Sequence, residues 1–182
     1  MTKYKKYINI IIISGILFCL PAGVLLHFLY EWINKSIIVS IISAVNESIW
    51  EHIKLTAVPI ILFIVVGSFT FGKKVNNFYP AMSLGLHLGW LFIPIFYYAY
   101  TGIIGKDIIF IDILIYILSI IICFIFARFL MIKRISFKTN TNILLTTLTT
   151  ILIVMLVIFT FKTPKIPLFQ DPSNGTYGIL MK

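Results

Sequence analysis

Two pairs of ionisable side chains at helical spacing, His27 with Glu31 and Glu47 with Glu51, the second followed directly by His52, are where this sequence could do chemistry. Residues four apart share one face of a helix, so each pair presents its polar groups together. An imidazole and carboxylates brought to one depth can ligate a divalent ion such as zinc. They can equally act as general acid and base. We assign His27, Glu31 and His52 as candidate metal ligands and Glu47 and Glu51 as candidate catalytic carboxylates. Neither spacing is the H-E-x-x-H or C-x-x-C type, and axial histidines need no fixed spacing, so a non-covalent haem between His27 and His52 is also open. The plain structural alternative makes Glu51 a helix cap, leaves Glu47 and Lys54 solvated, and reduces His27 and Glu31 to a hydrogen-bonded pair beside Trp32.

Three further polar residues belong to the candidate set. His87 precedes Tyr98 by eleven residues, which at ~1.5 Å per residue places it about 16 Å below the aromatic end of its helix. That depth separates it from His27 and His52. Packing beside Ser83 and Trp90, or a station on an ion path, are its two readings. Asp112 lies about four residues into an apolar run and is better placed to join His27; its alternative is a partner for Lys106 or a tyrosine hydroxyl. Asp171 sits in a turn-rich tail that can fold back toward residues 46–52. Phosphate loops, nucleophile elbows and covalent haem-attachment motifs are absent.

The elements that must position these groups are membrane spans. The chain of 182 residues is 60% hydrophobic, and apolar runs of about 20 residues, enough to cross a hydrocarbon core, occur at 8–30, 53–71, 78–100, 108–130 and 143–161. Charge inside such a bundle is costly and usually functional. The net charge of +9 does not indicate nucleic acid. Lys3, Lys5, Lys6, Lys73, Lys74, Arg128, Lys133, Arg134 and Lys138 cluster at alternate span ends, whereas Lys35, Lys54 and Lys106 flank the other ends. This asymmetry predicts a cytoplasmic N-terminus and an extracytoplasmic tail. The first span reads as an uncleaved anchor, because apolar character runs past Pro21 without a small-residue cleavage site. Cys19 and Cys123 fall within spans and read as packing residues.

The predicted fold is an all-α polytopic transmembrane bundle of about five spans, with one amphipathic interfacial or re-entrant helix. Its bundle covers residues 1–161, with the amphipathic segment at 36–52, and a tail covers 162–182. In the amphipathic segment, isoleucines at 37, 38, 41 and 42 alternate with Ser36, Ser40, Ser43 and Glu47 on another face. A helix over 36–47 is expected, its serines facing water or the site. Ser48-x-x-Glu51 fits a capping box that starts the next helix. Ala81, Gly85 and Gly89 form a small-residue ladder suited to a helix–helix partner. Asp112, Tyr116, Ser119 and Cys123 make a polar stripe expected to face inward. In the tail, Asp171-Pro172-Ser173-Asn174-Gly175 is a turn signal, flanked by Leu168, Phe169, Tyr177, Ile179 and Leu180, too apolar for a solvated tether.

His27-Phe28-x-Tyr30-Glu31-Trp32, Asn46-Glu47-Ser48-x-Trp50-Glu51-His52 and the ending from Pro167 to Ile179 together resemble an uncharacterised family of small multipass bacterial membrane proteins. The resemblance covers nearly the whole chain and implies a membrane bundle in a bacterial cytoplasmic membrane, with no activity attached. From the residues, the leading expectation is an outward-facing His/Glu site for metal-assisted hydrolysis of a lipid or membrane-borne substrate. The alternatives are a small transporter using His87 and Asp112, or a non-catalytic partner subunit.

Overall fold

A computed structural model of the chain describes residues 3–179. The helices are α1 (Lys3–Trp32), α2 (Ile37–Ser40), α3 (Ile49–Thr70), α4 (Phe78–Ile104), α5 (Ile109–Ile132) and α6 (Thr139–Phe161), followed by a 3-10 turn at Pro167–Phe169. All but α2 are long and apolar enough to cross a membrane. Leu180, part of the apolar set expected to anchor the tail, lies outside the described residues.

The apolar periodicity explains the packing. On α3, Ile53, Ala57, Ile60 and Ile64 recur every three or four residues and are all buried, so this helix forms the centre against α1 and α4. The outer surfaces stay apolar: Phe69 is 79% exposed and Ile103 86%, which suits lipid contact and not water. Helix α6 buries a thin stripe, Leu145, Leu152, Leu156 and Thr160, and packs mainly on α4.

The small-residue ladder faces inward. A methyl group on Gly85 would lie 2.5 Å from the Cys123 carbonyl oxygen, and one on Gly89 would lie 2.9 Å from that of Ser119. The ladder therefore serves the α4–α5 contact within the chain. The α5 stripe also points inward: Ser119 and Cys123 are buried, and the Tyr116 hydroxyl donates to the Leu20 carbonyl at 2.6 Å.

Charge divides between the ends of the bundle. Glu31, Glu47, Glu51, Asp107, Asp112 and Asp171 all belong to the end where α1 finishes and where α3 and α5 begin. At the opposite end, cations are held by polar and aromatic groups. Arg128 donates to Asn9 Oδ1 at 2.8 Å, and Arg134 lies 4.3 Å over the Tyr4 ring.

The amphipathic segment departs from expectation. Instead of a helix over 36–47 it makes one helical turn, Ile37–Ser40, and then loops to Ser48. Its serines face protein: Ser40 and Ser43 are wholly buried, while Ile37 and Ile38 are 67% and 79% exposed. The cause is competition for backbone hydrogen bonds. The Ser43 hydroxyl accepts from Tyr30 N–H at 3.1 Å and donates to the Leu26 carbonyl, two groups that an undisturbed α1 would pair with each other. The Ser40 and Ser43 carbonyls accept from Lys54 Nζ at 3.0 and 3.4 Å. Neighbouring helices satisfy this loop, which is how irregular backbone survives in such a setting.

Candidate metal centre

Three separate stretches of chain deliver the candidate ligands. His27 stands one turn above Gly23 on α1, and at Gly23 the helices come close: a methyl group there would lie 2.4 Å from the Leu55 carbonyl of α3 and 2.2 Å from the Tyr116 hydroxyl of α5. His52 occupies the first turn of α3. That helix starts at Ser48, whose hydroxyl accepts from Glu51 N–H at 3.4 Å. Only this half of the expected capping box forms, because Ser48 N–H donates to Asn46 Oδ1 at 2.9 Å instead. Glu47 sits in the loop just before the cap, and its backbone N–H donates to Asp171 Oδ2 at 3.3 Å.

These placements bring one nitrogen each of His27 and His52 and one oxygen of Glu47 within 4.8 Å of one another. Glu47 Oε2 lies 3.9 Å from His27 Nε2 and 3.7 Å from His52 Nε2. Hydrogen bonding fixes what these atoms must be. His52 Nδ1 is 3.0 Å from the Ser48 carbonyl, which can only accept, so Nδ1 carries the proton. In the neutral ring Nε2 is then a bare lone pair facing a carboxylate oxygen. Two acceptors in that relation repel unless a cation, either a proton or a metal ion, lies between them. The Ser48 carbonyl is the kind of outer partner that orients metal-bound histidines. Two zinc bonds of about 2.0–2.1 Å at the tetrahedral angle put ligand atoms ~3.3 Å apart. The two imidazole–carboxylate separations need to close by about half an ångström, and the two imidazole nitrogens, within 4.8 Å of each other, by up to ~1.5 Å against that spacing. His27 Nδ1 is buried with no hydrogen-bond partner, so this imidazole is less completely held than His52.

The structure separates other members of the expected set. Glu31, read as a ligand, turns to the surface and pairs with Lys35 at 3.2 Å, both side chains more than half exposed; Glu47 takes the place among the histidines expected for it. Glu51, read as a catalytic carboxylate, is buried and bound 2.7 Å from Lys54 Nζ, and it also accepts from Val45 N–H at 3.1 Å. Closed off by those partners, it braces the loop and does not line the site. Lys54, solvated in the plain structural alternative, is wholly buried. Its position three residues after Glu51 was the sequence signal for this pairing. His87 is remote from the trio: it accepts from Trp90 Nε1 at 3.0 Å and lies 3.4 Å from the Thr149 hydroxyl.

Asp112 accepts from the Tyr100 hydroxyl at 2.5 Å and lines the same cavity as His27, Glu47 and His52. That cavity, about 920 Å³, lies between α1, α3 and α5 beneath the tail. The tail folds onto this end: the Phe169 ring packs 4.9 Å from Trp50 and 5.2 Å from Phe159, and Asn46 Nδ2 donates to the Gly178 carbonyl at 3.1 Å. An antiparallel bridge between Gln170 and Tyr177 closes the turn. Asp171 is buried. Burial pushes its carboxyl up, but bonds from Ser173, from Glu47 N–H and from Asn174 outweigh this and hold it below the usual carboxylate range.

A family model described as a family of unknown function, DUF6512, matches residues 1–179. The chain belongs to DUF6512. No curated protein and no solved structure matches it. Membership agrees with the uncharacterised family expected from the sequence and assigns no reaction to this DUF6512 chain.

Proposed function

We propose that this chain is a membrane-embedded, divalent-metal-dependent hydrolase of a lipid or membrane-borne substrate, its site on the extracytoplasmic face of a bacterial membrane. The observation that carries this reading is the convergence of His27 Nε2, Glu47 Oε2 and the proton-free Nε2 of His52 at the wall of a largely apolar cavity. Three protein ligands with an open fourth position are the pattern of catalytic, as opposed to structural, zinc sites. The basic asymmetry between the bundle ends supports the orientation.

A divalent ion held by these residues supplies Lewis acidity and activates water. The remaining roles belong to the chain. The two imidazoles and Glu47 Oε2 would hold the ion, and the second oxygen of Glu47, whose side chain is 51% exposed, would take the proton that water gives up. In ester hydrolysis the water oxygen bonds to the carbonyl carbon and the carbon–oxygen bond breaks. The departing alkoxide then recovers that proton. Asp112, on the same wall, bounds the space for the leaving group. The transporter alternative has less support, since His87 does not line this cavity while Asp112 does.

Full-length protein in lipid nanodiscs, loaded with zinc, manganese or no metal, should be assayed on a panel of fluorogenic acyl esters. Metal-dependent turnover that disappears in H27A and H52A is expected. Turnover equal in metal-free protein, or equal in both variants, would overturn the proposal.

A further inference from the structure

The cavity beside the trio has a polar end and an apolar body. Glu47, Asp107 and Asp112 join the two histidines at the end, and among the described residues no lysine or arginine lines it. The body is walled by side chains such as Leu20 and Val24 of α1 and Ile113 and Ile117 of α5. Leu20 to Phe28 and Ile109 to Ile117 are eight-residue intervals, so at ~1.5 Å per residue the body reaches about 12 Å along the helices. The wall is open along its flank: Val24, Phe28, Ile109 and Ile113 line the cavity and are 49%, 46%, 75% and 52% exposed. In a bilayer that flank meets lipid chains, not water.

We infer that the cavity takes one acyl chain of a lipid whose head is uncharged or cationic, entering sideways between α1 and α5 and setting its polar linkage against His27, Glu47 and His52. The placement of the linkage rests on the metal-hydrolase reading; the seat for the chain does not. Three carboxylates at the polar end disfavour an anionic head, and even a bound divalent ion would not outnumber them. The apolar body rewards burial of a hydrocarbon chain in proportion to its area.

Native mass spectrometry of the full chain with a monoacylglycerol, and with a phosphate monoester of the same chain length, tests this directly. Stoichiometric monoacylglycerol binding is expected, with the phosphate monoester weaker by about tenfold or more. V24W and I113W should each weaken monoacylglycerol binding by a similar factor while zinc content stays unchanged, because each fills the body from a half-exposed position. H27A/H52A should lose zinc and keep the lipid, which separates failure of the metal reading from failure of this one. A monoacylglycerol with a diazirine at its chain end needs no variant and should crosslink wild-type protein at Leu20 or Ile117. Preference for the anionic ester, full binding in folded V24W and I113W, or crosslinks spread over outer positions such as Phe69 would overturn the inference.

Discussion

Replacing Lys54 with methionine removes the cation from a buried pair while keeping most of the side-chain volume. The ammonium is fully buried and its Glu51 partner 3% exposed, with 2.7 Å between the charges. Losing one partner strands the other, at a cost of about 3–5 kcal/mol. Glu51→Leu should cost a similar amount by stranding Lys54. The double variant E51L/K54M removes both charges, and a buried pair exchanged for apolar residues is often neutral. Here it should not be, because the pair also serves Val45 N–H and the Ser40 and Ser43 carbonyls. Orphaning three backbone groups at about 1 kcal/mol or more each leaves a deficit of roughly 3 kcal/mol. The double variant should therefore resemble either single one, giving a coupling energy of about 3 kcal/mol or more in a double-mutant cycle. Reversible unfolding in mixed micelles of denaturing and mild detergent measures all four proteins. Single losses below about 1 kcal/mol that simply add would be the behaviour of an exposed pair and would refute the reasoning. Because the same pair holds the loop that carries Glu47, zinc affinity should fall in folded K54M as well.

Removing a ligand should act more selectively: H52A, H27A or E47A should each weaken zinc binding by more than the roughly 10–100-fold typical of outer-shell changes, while E31A leaves it unchanged, as read by competition with a chromophoric chelator. The tail should hold at neutral pH. Its Asp171 carboxyl is held below the ordinary carboxylate range, so that contribution is complete above that range and is lost as pH falls through the depressed value. Limited proteolysis across residues 166–179 should stay slow until that acid limit is passed, and D171A should be cut rapidly at neutral pH. Gly85→Ala should destabilise by about 1–3 kcal/mol through overpacking, since its new methyl meets backbone at 2.5 Å, whereas Gly102 has nothing within 4 Å and Gly102→Ala should gain about 0.5–1 kcal/mol; thermal shifts of the two variants decide.

The spans were legible because each is a long apolar run, and a run of that kind has few other fates. The end of the molecule that gathers the histidines followed from the same runs, since their alternation places residues 27, 47 and 52 together. What the sequence concealed were rotamers and loop paths. Glu31 and Glu47 are equally plausible partners by spacing, but Lys35 at i+4 draws Glu31 to the surface. Ser40 and Ser43 fall on a polar helix face in any wheel. That they point into protein depends on Lys54 and on α1 offering backbone partners, which are contacts made across the fold. Lys54 follows the same logic: a lysine near a span end ordinarily snorkels to water, and Glu51 together with the loop carbonyls above it keeps it buried. The tail was readable in outline from its apolar residues, and its docking on Trp50 required the aromatic cluster with Phe159.

X-ray absorption of zinc-loaded, full-length protein bears most directly on the central claim, that His27, Glu47 and His52 form a metal centre. Zinc stoichiometric with the chain and four-coordinate is expected, with two imidazole nitrogens at about 2.0–2.1 Å and carboxylate and water oxygens at about 2.0–2.2 Å. That signal should be lost in H27A/H52A and persist in E31A and H87A. Absence of stoichiometric zinc at saturating metal, or an unchanged zinc environment in H27A/H52A, would contradict that claim.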